Sequence, residues 1–130
     1  MTGVKGAAGG VGEIGLDAFG GALNRVRADA TAFVHRDSLF NAQYRTSWTS
    51  PGSSQGVANQ HAWLRSFYAS LHPYANGQAY QNYADPDLTD WRQAYYGANY
   101  PRLSAIKARY DPRMLFRFPQ AITPTSSRAG

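Results

Sequence analysis

The spacing of hydrophobic and polar residues changes along the chain, from a strand-like pattern to a helical one. From Leu16, the sequence LDAFGGALNRV alternates apolar and small residues, which predicts a strand cut short at Gly20–Gly21. The sequence from Thr31 to Trp48 is rich in β-branched and aromatic residues and contains no glycine or proline. It predicts one long strand, or a strand with a bulge.

The second half of the chain carries its apolar residues at helical spacing. Residues 49–56, TSPGSSQG, have the composition of a loop. The apolar residues that follow at helical spacing predict a helix over 57–71. A short helical piece is predicted over 90–97, and a second amphipathic helix over 99–110, with Asn99 as its N-cap. Long strands followed by helices predict an α+β fold with an antiparallel sheet.

Length and composition predict one folded domain. The 130 residues are 43% hydrophobic and 14% aromatic, a composition that favours a buried core over disorder. We expect a flexible, glycine-rich start over residues 1–15, a folded portion over 16–122 and a disordered tail over 123–130. The absence of cysteine excludes a disulfide framework and thiolate metal ligands.

The sequence lacks the features of membrane spans and of secretion. It contains no run of about 18 apolar residues, and its N-terminus has no charged region followed by an apolar one. We therefore expect a cytoplasmic chain without a membrane span or a signal peptide.

The net charge of +5 raises the question of an acidic partner such as nucleic acid. The basic residues are scattered rather than grouped, however, and this is typical of a solvated surface. The alternative function is a small stand-alone basic binding module, for nucleic acid or for a protein partner. Its basic and aromatic residues would be Arg102, Lys107, Arg109, Arg113 and Arg117 together with Tyr95, Tyr96 and Tyr100.

Two features that often mark ligand sites receive little support from their context. The glycine-rich stretch Gly6–Gly12 would cradle a phosphate only between a buried strand and a helix N-terminus, but only the short, polar MTGVK precedes it. Because a strand is predicted after it, a flexible start is the favoured interpretation. The histidines His35, His61 and His72 form no i, i+4 pair and no set with a carboxylate, so we expect no metal site.

The stretch AYQNYADPDL, residues 79–88, combines two tyrosines with an Asp-Pro-Asp turn. As a short strand it would place Tyr80 and Asn82 on one face and Tyr83 on the other. A kink in that strand would instead let all three side chains approach one ligand. The simpler interpretation is a half-buried aromatic strand end with an Asx-type turn at Asp85, and the residues alone leave both open.

Several segments, in a fixed order, resemble one enzyme family. The stretch YQNYADPDL and the later WRQAYYGANYPRLSAIKARYDPRMLFRFPQAI resemble the C-terminal end of the berberine-bridge-enzyme-like, FAD-linked oxidases. Upstream, AFGGALNRV and ATAFVHRDSLFNAQYRTSW are similar to the preceding strands of that family's substrate-binding domain. The resemblance runs from about Leu16 to Ile122. It implies part of that domain, an antiparallel sheet with two or three covering helices.

The resemblance also implies a reaction and the residues for it. Members of the family oxidise hydroxyl groups of sugars, alcohols or natural products by passing a hydride to FAD, which oxygen then reoxidises. By its place in the shared segments, Tyr83 matches the catalytic base, and Tyr80 and Asn82 match residues that lie against the flavin. Gln43 is near a position that lines the substrate side.

The chain departs from the family in one respect. Full-length members carry an N-terminal FAD-binding domain with a glycine-rich phosphate-binding segment, and these residues include no such domain. The resemblance therefore implies a C-terminal fragment whose partners are an FAD-binding domain or missing N-terminal piece and a small hydroxylated substrate. Because the cofactor supplies the hydride chemistry, we expect no activity from the isolated chain.

Overall fold

The chain divides into two compact units, each formed by two separate stretches of sequence. The computed structural model describes residues 3–5, 10–48 and 53–125. Unit 1 comprises Met1–Gly20 and Ser38–Asn76, and unit 2 comprises Gly21–Asp37 and Gly77–Gly130. The portion predicted over 16–122 therefore contributes to both units.

Unit 1 contains a three-stranded antiparallel sheet in the order β1–β2–β3. These strands are β1 (Gly3–Lys5), β2 (Gly10–Ala18) and β3 (Phe40–Trp48). β2 and β3 pair along their whole length, from Gly10 opposite Trp48 to Ala18 opposite Phe40. The predicted α+β class with an antiparallel sheet is confirmed.

A long helix, α1 (Ser54–Leu71), packs on one face of this sheet. From β3, the ring of Tyr44 lies 5.4 Å from that of Phe67, and the hydroxyl of Thr46 donates to Oε1 of Gln60 at 2.8 Å. Because side chains alternate across a strand, the even-numbered residues of β3 face α1 and the odd-numbered ones face away.

The start of α1 is set by a side-chain cap. The helix predicted over 57–71 begins at Ser54, because the hydroxyl of Ser53 accepts a hydrogen bond from the N–H of Gly56 at 3.1 Å. Residues 54–56, predicted as loop, are therefore helical, and residues 49–52 lie outside the described residues. Among the residues that the structure describes, no helix is both long and apolar enough to cross a membrane.

The long strand predicted from Thr31 is wrong in its first half, since β3 begins only at Phe40. Residues 31–39 have no regular structure. The guanidinium of Arg36 donates to the backbone carbonyls of Phe33 at 3.2 Å and of Leu23 at 3.1 Å. These bonds fold the segment back on itself, so tertiary contacts override its high β propensity.

The prediction of a flexible start over residues 1–15 is wrong for residues 3–5 and 10–15, which are in β1 and β2. Glycine has a structural reason in β2, because Gly12 allows the ring of Trp63 to approach the strand closely. A Cβ at Gly12 would lie 2.2 to 2.6 Å from three carbons of the Trp63 indole. Residues 6–9 lie outside the described residues.

Unit 2 is built around two helices, α2 (Trp91–Tyr96) and α3 (Tyr100–Tyr110), and both confirm the predicted helical segments. The turn Gly97–Asn99 joins them, and Gly97 has a φ of 48°, a conformation that favours glycine. Among the described residues of this unit, the buried apolar side chains are Trp91, Ala94, Tyr95 and Ala121.

Asn99 occupies the N-cap position of α3 but does not cap it, so that prediction is wrong. Its buried side chain donates instead to the carbonyls of Ala28 at 2.8 Å and Thr31 at 3.0 Å. These acceptors are distant in sequence, and they compete successfully with the local cap. Asn99 thereby ties the 28–31 stretch to the start of α3.

The tail predicted as disordered over 123–130 is anchored at its first residues. The buried hydroxyl of Ser104 donates to the carbonyl of Thr123, and the N–H of Thr125 donates to the carbonyl of Ser104 at 3.3 Å. The prediction is therefore wrong for residues 123–125, and residues 126–130 lie outside the described residues.

Asp111 organises the segment that follows α3. Its buried carboxylate accepts the N–H groups of Leu115 at 2.7 Å and of Phe116 at 3.1 Å, and it pairs with the ammonium of Lys107. The hydrogen bond from Lys107 lowers the pKa of Asp111, burial opposes this lowering, and the two N–H groups add to it. One charged side chain therefore holds both a helix end and the loop beyond it.

We predict that Gly12→Ala destabilises unit 1. Trp63 is stacked on Phe67, with ring centroids 5.3 Å apart, so the indole has little room to move away from an added methyl group. Overpacking of this kind costs about 1–3 kcal/mol in the free energy of unfolding. Urea denaturation would measure it.

Gly15→Ala is the matched control in the same strand. Its Cβ would meet Gln43 first, at an ordinary contact distance of 3.9 Å. We expect a change of about 1 kcal/mol or less, and in the stabilising direction, because alanine restricts the unfolded chain. Equal losses in the two variants would contradict the packing of Trp63 on Gly12.

We predict that Asp111→Asn lowers the Tm at neutral pH and makes the Tm fall less steeply as the pH is lowered. The folded-state pKa of Asp111 lies below the ordinary value of 3.8, so its stabilising contribution is present above that value and is lost as pH falls through the folded pKa. The difference in Tm between wild type and variant should therefore shrink below about pH 4. Thermal melts from neutral to acid pH would show this, with the exposed Asp37→Asn as control. A difference that does not change with pH would contradict the charge-based role.

Candidate functional site

The stretch 79–88 folds as two consecutive turns. The N–H of Tyr83 donates to the carbonyl of Tyr80 at 2.9 Å, and the N–H of Leu88 donates to that of Asp85 at 3.2 Å. The prediction of a short strand here is wrong, whereas the Asx-type turn at Asp85 is confirmed. Its Oδ1 accepts the N–H of Asp87 at 2.9 Å.

The first of these turns, Tyr80–Tyr83, is called the tyrosine turn below. It brings together the three side chains that sequence reasoning had selected. The rings of Tyr80 and Tyr83 meet edge to face, 5.2 Å between centroids, and Asn82 Nδ2 donates to the Tyr80 hydroxyl at 2.8 Å. Tyr80 is half-buried, Tyr83 is 46% exposed and Asn82 is exposed. The chain therefore bends as the kinked interpretation required, and it leaves a phenol and an amide open to a ligand.

The second turn is fastened to α2 and to the C-terminal segment. The N–H of Asp85 donates to the hydroxyl of Tyr95 at 2.8 Å, and Gln120 Nε2 donates to the carbonyl of Asp85 at 2.6 Å. The Tyr95 hydroxyl in turn donates to Gln120 Oε1 at 3.4 Å. The N–H of Ala79 also donates to the carbonyl of Ala94 at 3.0 Å. Three hydrogen bonds thus fix a segment that has no regular secondary structure, and the bond between Tyr95 and Gln120 links two of its partners.

Sequence reasoning missed several residues that position this site. Tyr95 and Gln120 are two of them. The residues next to Tyr95 and Gln120 in the sequence do not indicate this role, because the atoms that Tyr95 and Gln120 bind are distant along the chain. A third is His35, considered above only as a metal ligand, whose ring lies 6.2 Å from that of Tyr80. In the described parts of the chain, no group of three or more His, Asp or Glu residues could hold a metal ion.

Gln43, the predicted substrate-side residue, lies in unit 1, whereas the tyrosine turn lies in unit 2. It is half-buried on β3 directly opposite Gly15, on the face of the sheet that points away from α1. The same face carries the ion pair between Arg45 and Glu13, 3.3 Å apart. Gln43 therefore lies on a polar sheet surface.

One tyrosine outside the tyrosine turn has a lowered pKa. Burial alone would raise the pKa of Tyr100, but hydrogen bonds from Thr123 and Arg92 outweigh burial and lower it. Arg92 Nε donates to this hydroxyl at 3.0 Å. For neighbouring Tyr96, burial raises the pKa, and Coulombic repulsion from the ionised hydroxyls of Tyr95 and Tyr100 raises it further.

The glycine-rich stretch considered as a phosphate cradle has a different structure where it is described. Gly10 and Gly12 are inside β2, paired with Trp48 and Thr46 of β3. Their backbone groups belong to a sheet rather than to a loop that precedes a helix, which does not match a phosphate-binding loop.

Comparison with known proteins identifies the class. Residues 79–123, which include the tyrosine turn, match the family model described as berberine and berberine like. The chain is 40% identical over 107 residues to the uncharacterized FAD-linked oxidoreductase YgaK of Bacillus subtilis (strain 168), over 82% of this chain and 23% of YgaK.

Two solved structures agree with this match. The glycopeptide hexose oxidase DBV29, complexed with teicoplanin, aligns with a TM-score of 0.76 and 31% identity, over 88% of this chain and 26% of that chain. Wild-type Phl p 4.0202, a glucose dehydrogenase, aligns with a TM-score of 0.76 and 32% identity, over 93% of this chain and 27% of that one.

These matches are to FAD-linked oxidoreductases. The family model covers residues 79–123, and the resemblance of the chain to part of a berberine-bridge-enzyme-like oxidase is confirmed. The chain spans about a quarter of the length of these relatives.

We predict that Tyr95→Phe loosens the second turn. Loss of the hydroxyl removes the acceptor of the Asp85 N–H and one partner of Gln120. Buried groups that lose a partner in this way cost about 1–3 kcal/mol. Urea denaturation would measure the loss, and amide hydrogen exchange at Asp85 should become faster.

Tyr110→Phe is the control, because Tyr110 is 73% exposed. We expect its effect to stay within about 0.5 kcal/mol, as is usual for surface substitutions. If the two variants were equally stable and Asp85 exchanged at the wild-type rate in both, the anchoring role of Tyr95 would be wrong.

Proposed function

We propose that this chain supplies the proton-accepting and substrate-side residues of an FAD-linked oxidoreductase that oxidises a hydroxyl group of a sugar, an alcohol or a natural product, with oxygen as acceptor. The observation that carries the proposal is the clustering of Tyr80, Asn82 and Tyr83 in one turn of the family-matched region. The relatives named as a hexose oxidase and a glucose dehydrogenase favour a sugar hydroxyl.

The tyrosine turn fits one side of a flavin. Exposed aromatic edges suit contact with a planar ring system, and the Asn82 amide offers both a donor and an acceptor. FAD, when bound, would supply the hydride acceptor for this oxidation. In this proposal Tyr80 and Asn82 contact the flavin and orient it.

Tyr83 takes the proton in this proposal. Its phenol oxygen accepts the proton of the substrate hydroxyl as the adjacent carbon is oxidised, which is general-base catalysis. Among the described residues, its contacts are the ring of Tyr80 and the backbone carbonyl of Tyr80. A phenolate needs positive or hydrogen-bonding neighbours. We therefore expect these to come from the FAD-binding part of the enzyme, which is the proposed partner.

Gln43 has a separate role. A half-buried amide on the polar face of β3 can donate to one substrate hydroxyl and accept from another. The proposal assigns it to substrate binding and assigns no proton transfer to it.

The alternative, a basic binding module, has less support from the structure. Lys107 is engaged with Asp111 and with the carbonyl of Phe116 at 2.9 Å, and Arg102 donates to the carbonyl of Asp29 at 3.4 Å. Tyr95 is only 3% exposed, so it cannot stack on a base. Lys107, Arg102 and Tyr95 therefore serve internal contacts, and so does Tyr100, whose hydroxyl accepts a hydrogen bond from Arg92.

Reconstitution tests the proposed function. The chain is co-expressed with YgaK from which the segment matching this chain has been deleted. We expect a yellow complex with a flavin spectrum, anaerobic bleaching of the flavin by a hexose or an alcohol, and hydrogen peroxide once oxygen is admitted. The isolated chain should show none of these. A complex whose flavin no sugar or alcohol reduces would contradict the proposal.

In that complex, we predict that Tyr83→Phe lowers kcat by a factor of about 10²–10⁴, the usual contribution of a general base. Flavin content should not change, because the ring is retained. Tyr74→Phe is the matched control, since Tyr74 is 88% exposed and lies in unit 1. Wild-type kcat in Tyr83→Phe would remove Tyr83 from the role of base.

A further inference from the structure

His35 is a buried titratable side chain to which the proposed function assigns no role. It is 3% exposed and lies in the irregular segment before β3. The N–H of Arg36 donates to the carbonyl of Val34 at 2.8 Å, which closes a three-residue turn centred on His35. Arg36 also holds this segment through its bond to the carbonyl of Phe33 at 3.2 Å. The imidazole is therefore presented from a constrained backbone.

Both ring nitrogens of His35 have partners, and the two partners flank the tyrosine turn. Nδ1 lies 2.8 Å from Gln78 Oε1, and Nε2 lies 3.2 Å from Gln81 Oε1. Gln78 precedes Tyr80, and Gln81 follows it directly. An imidazolium can donate to both amide oxygens, and a neutral imidazole can donate to one glutamine and accept from the rotated amide of the other. In either form the ring bridges the residues on the two sides of Tyr80.

The faces of the same ring help to fix the orientation of Tyr80. The rings of Phe33 and Tyr80 stand nearly perpendicular to the imidazole, with centroids 5.0 and 6.2 Å away. Phe33 and Tyr80 also meet edge to face at 6.1 Å. Tyr80 then contacts Tyr83 at 5.2 Å. A continuous set of contacts thus leads from His35 to the proposed base.

We propose that His35 is a positioning residue for the tyrosine turn. Through Gln78 and Gln81 it holds the backbone on both sides of Tyr80, and Tyr80 in turn sets the place of Tyr83. As a role in the oxidation, this inference rests on the proposed function. As a statement about geometry, it stands on the contacts of His35 alone.

An apolar ring at position 35 could not replace the hydrogen bonds of the imidazole. Phenylalanine would keep the edge contacts with Phe33 and Tyr80, but it would leave the two glutamine amides without their bonds to the ring. Buried or half-buried amides that lose a partner turn toward water, and the backbone that carries them follows. His35→Phe therefore separates the hydrogen bonds from the packing.

The test on the full chain is NMR spectroscopy with ¹³C-labelled tyrosine rings. In His35→Phe we expect the Tyr80 and Tyr83 ring signals to move toward those of free tyrosine, and the cross-peak between the two rings to fall at least twofold. Tyr95 and Tyr100 of the same unit should keep their wild-type signals. His72→Phe makes the same change at an exposed histidine of unit 1 and should leave all four unchanged.

Two further variants keep the test decisive if His35→Phe does not fold. Gln78→Leu and Gln81→Leu retain the imidazole and remove one of its bonds each, so both should shift the Tyr80 and Tyr83 signals in the same direction. Combining Gln81→Leu with His35→Phe should add little to His35→Phe alone, because both act on one contact. Unchanged Tyr80 and Tyr83 signals in a folded variant would overturn the inference. So would changes that spread equally to Tyr95 and Tyr100, since they would show a general core role.

The reconstituted complex supplies the functional readout. There we expect His35→Phe to lower kcat by about 10- to 100-fold with little change in KM, since a displacement of about 1 Å can cost about 100-fold. Wild-type kcat in this variant would overturn the inference while leaving the proposed function intact. An inactive complex with the wild-type chain would overturn the proposed function, and the NMR result would then decide the geometric role of His35.

Discussion

The buried hydroxyl of Tyr95 is the contact on which the geometry of the candidate site depends. It accepts the N–H of Asp85 at 2.8 Å and donates to Gln120 at 3.4 Å, so one phenol joins α2, the turn region and the C-terminal segment. The turn region has no sheet ladder or helix to satisfy its backbone groups. Its shape therefore depends on side-chain partners, and buried partners give better-defined positions than solvent does.

In unit 1, the feature that needs a structural explanation is β2, a glycine-rich strand that is part of a packed sheet. β2 has no side chain at Gly12, and the indole of Trp63 fills the space there. The large side chain comes from the helix instead of the strand. Because side chains alternate, this arrangement leaves the opposite face of the sheet to polar residues, Gln43 among them. One face thus packs against α1, and the other carries polar side chains.

The similarity to berberine-bridge-enzyme-like oxidases gives these features a chemical context. The chain spans about a quarter of the length of its relatives, and the family-matched region 79–123 contains the tyrosine turn. In the proposed function, the side chains that it exposes position the flavin ring and accept a proton, and the flavin would supply the hydride transfer. In that proposal this chain contributes the residues that place the reactants. The rest of such an enzyme must supply the bound FAD.

Elements with a local signal could be predicted from the amino-acid sequence. Periodic apolar spacing predicted α1, α2 and α3, and the Asp-Pro-Asp stretch predicted the Asx turn, because both depend on residues within a few positions of each other. The ordered segments YQNYADPDL and AYYGANYPRL were enough to suggest the family.

The other features depend on tertiary contacts, which no local pattern in the sequence shows. The bend that unites Tyr80, Asn82 and Tyr83, the irregular segment before Phe40 and the true role of Asn99 all depend on distant partners. Asn99 binds carbonyls 68 and 71 positions away, and His35 binds glutamines 43 and 46 positions away. Contacts at such separations leave no periodic trace in the sequence. They form only once the chain has folded, and they then outweigh the local preference for a strand or a cap.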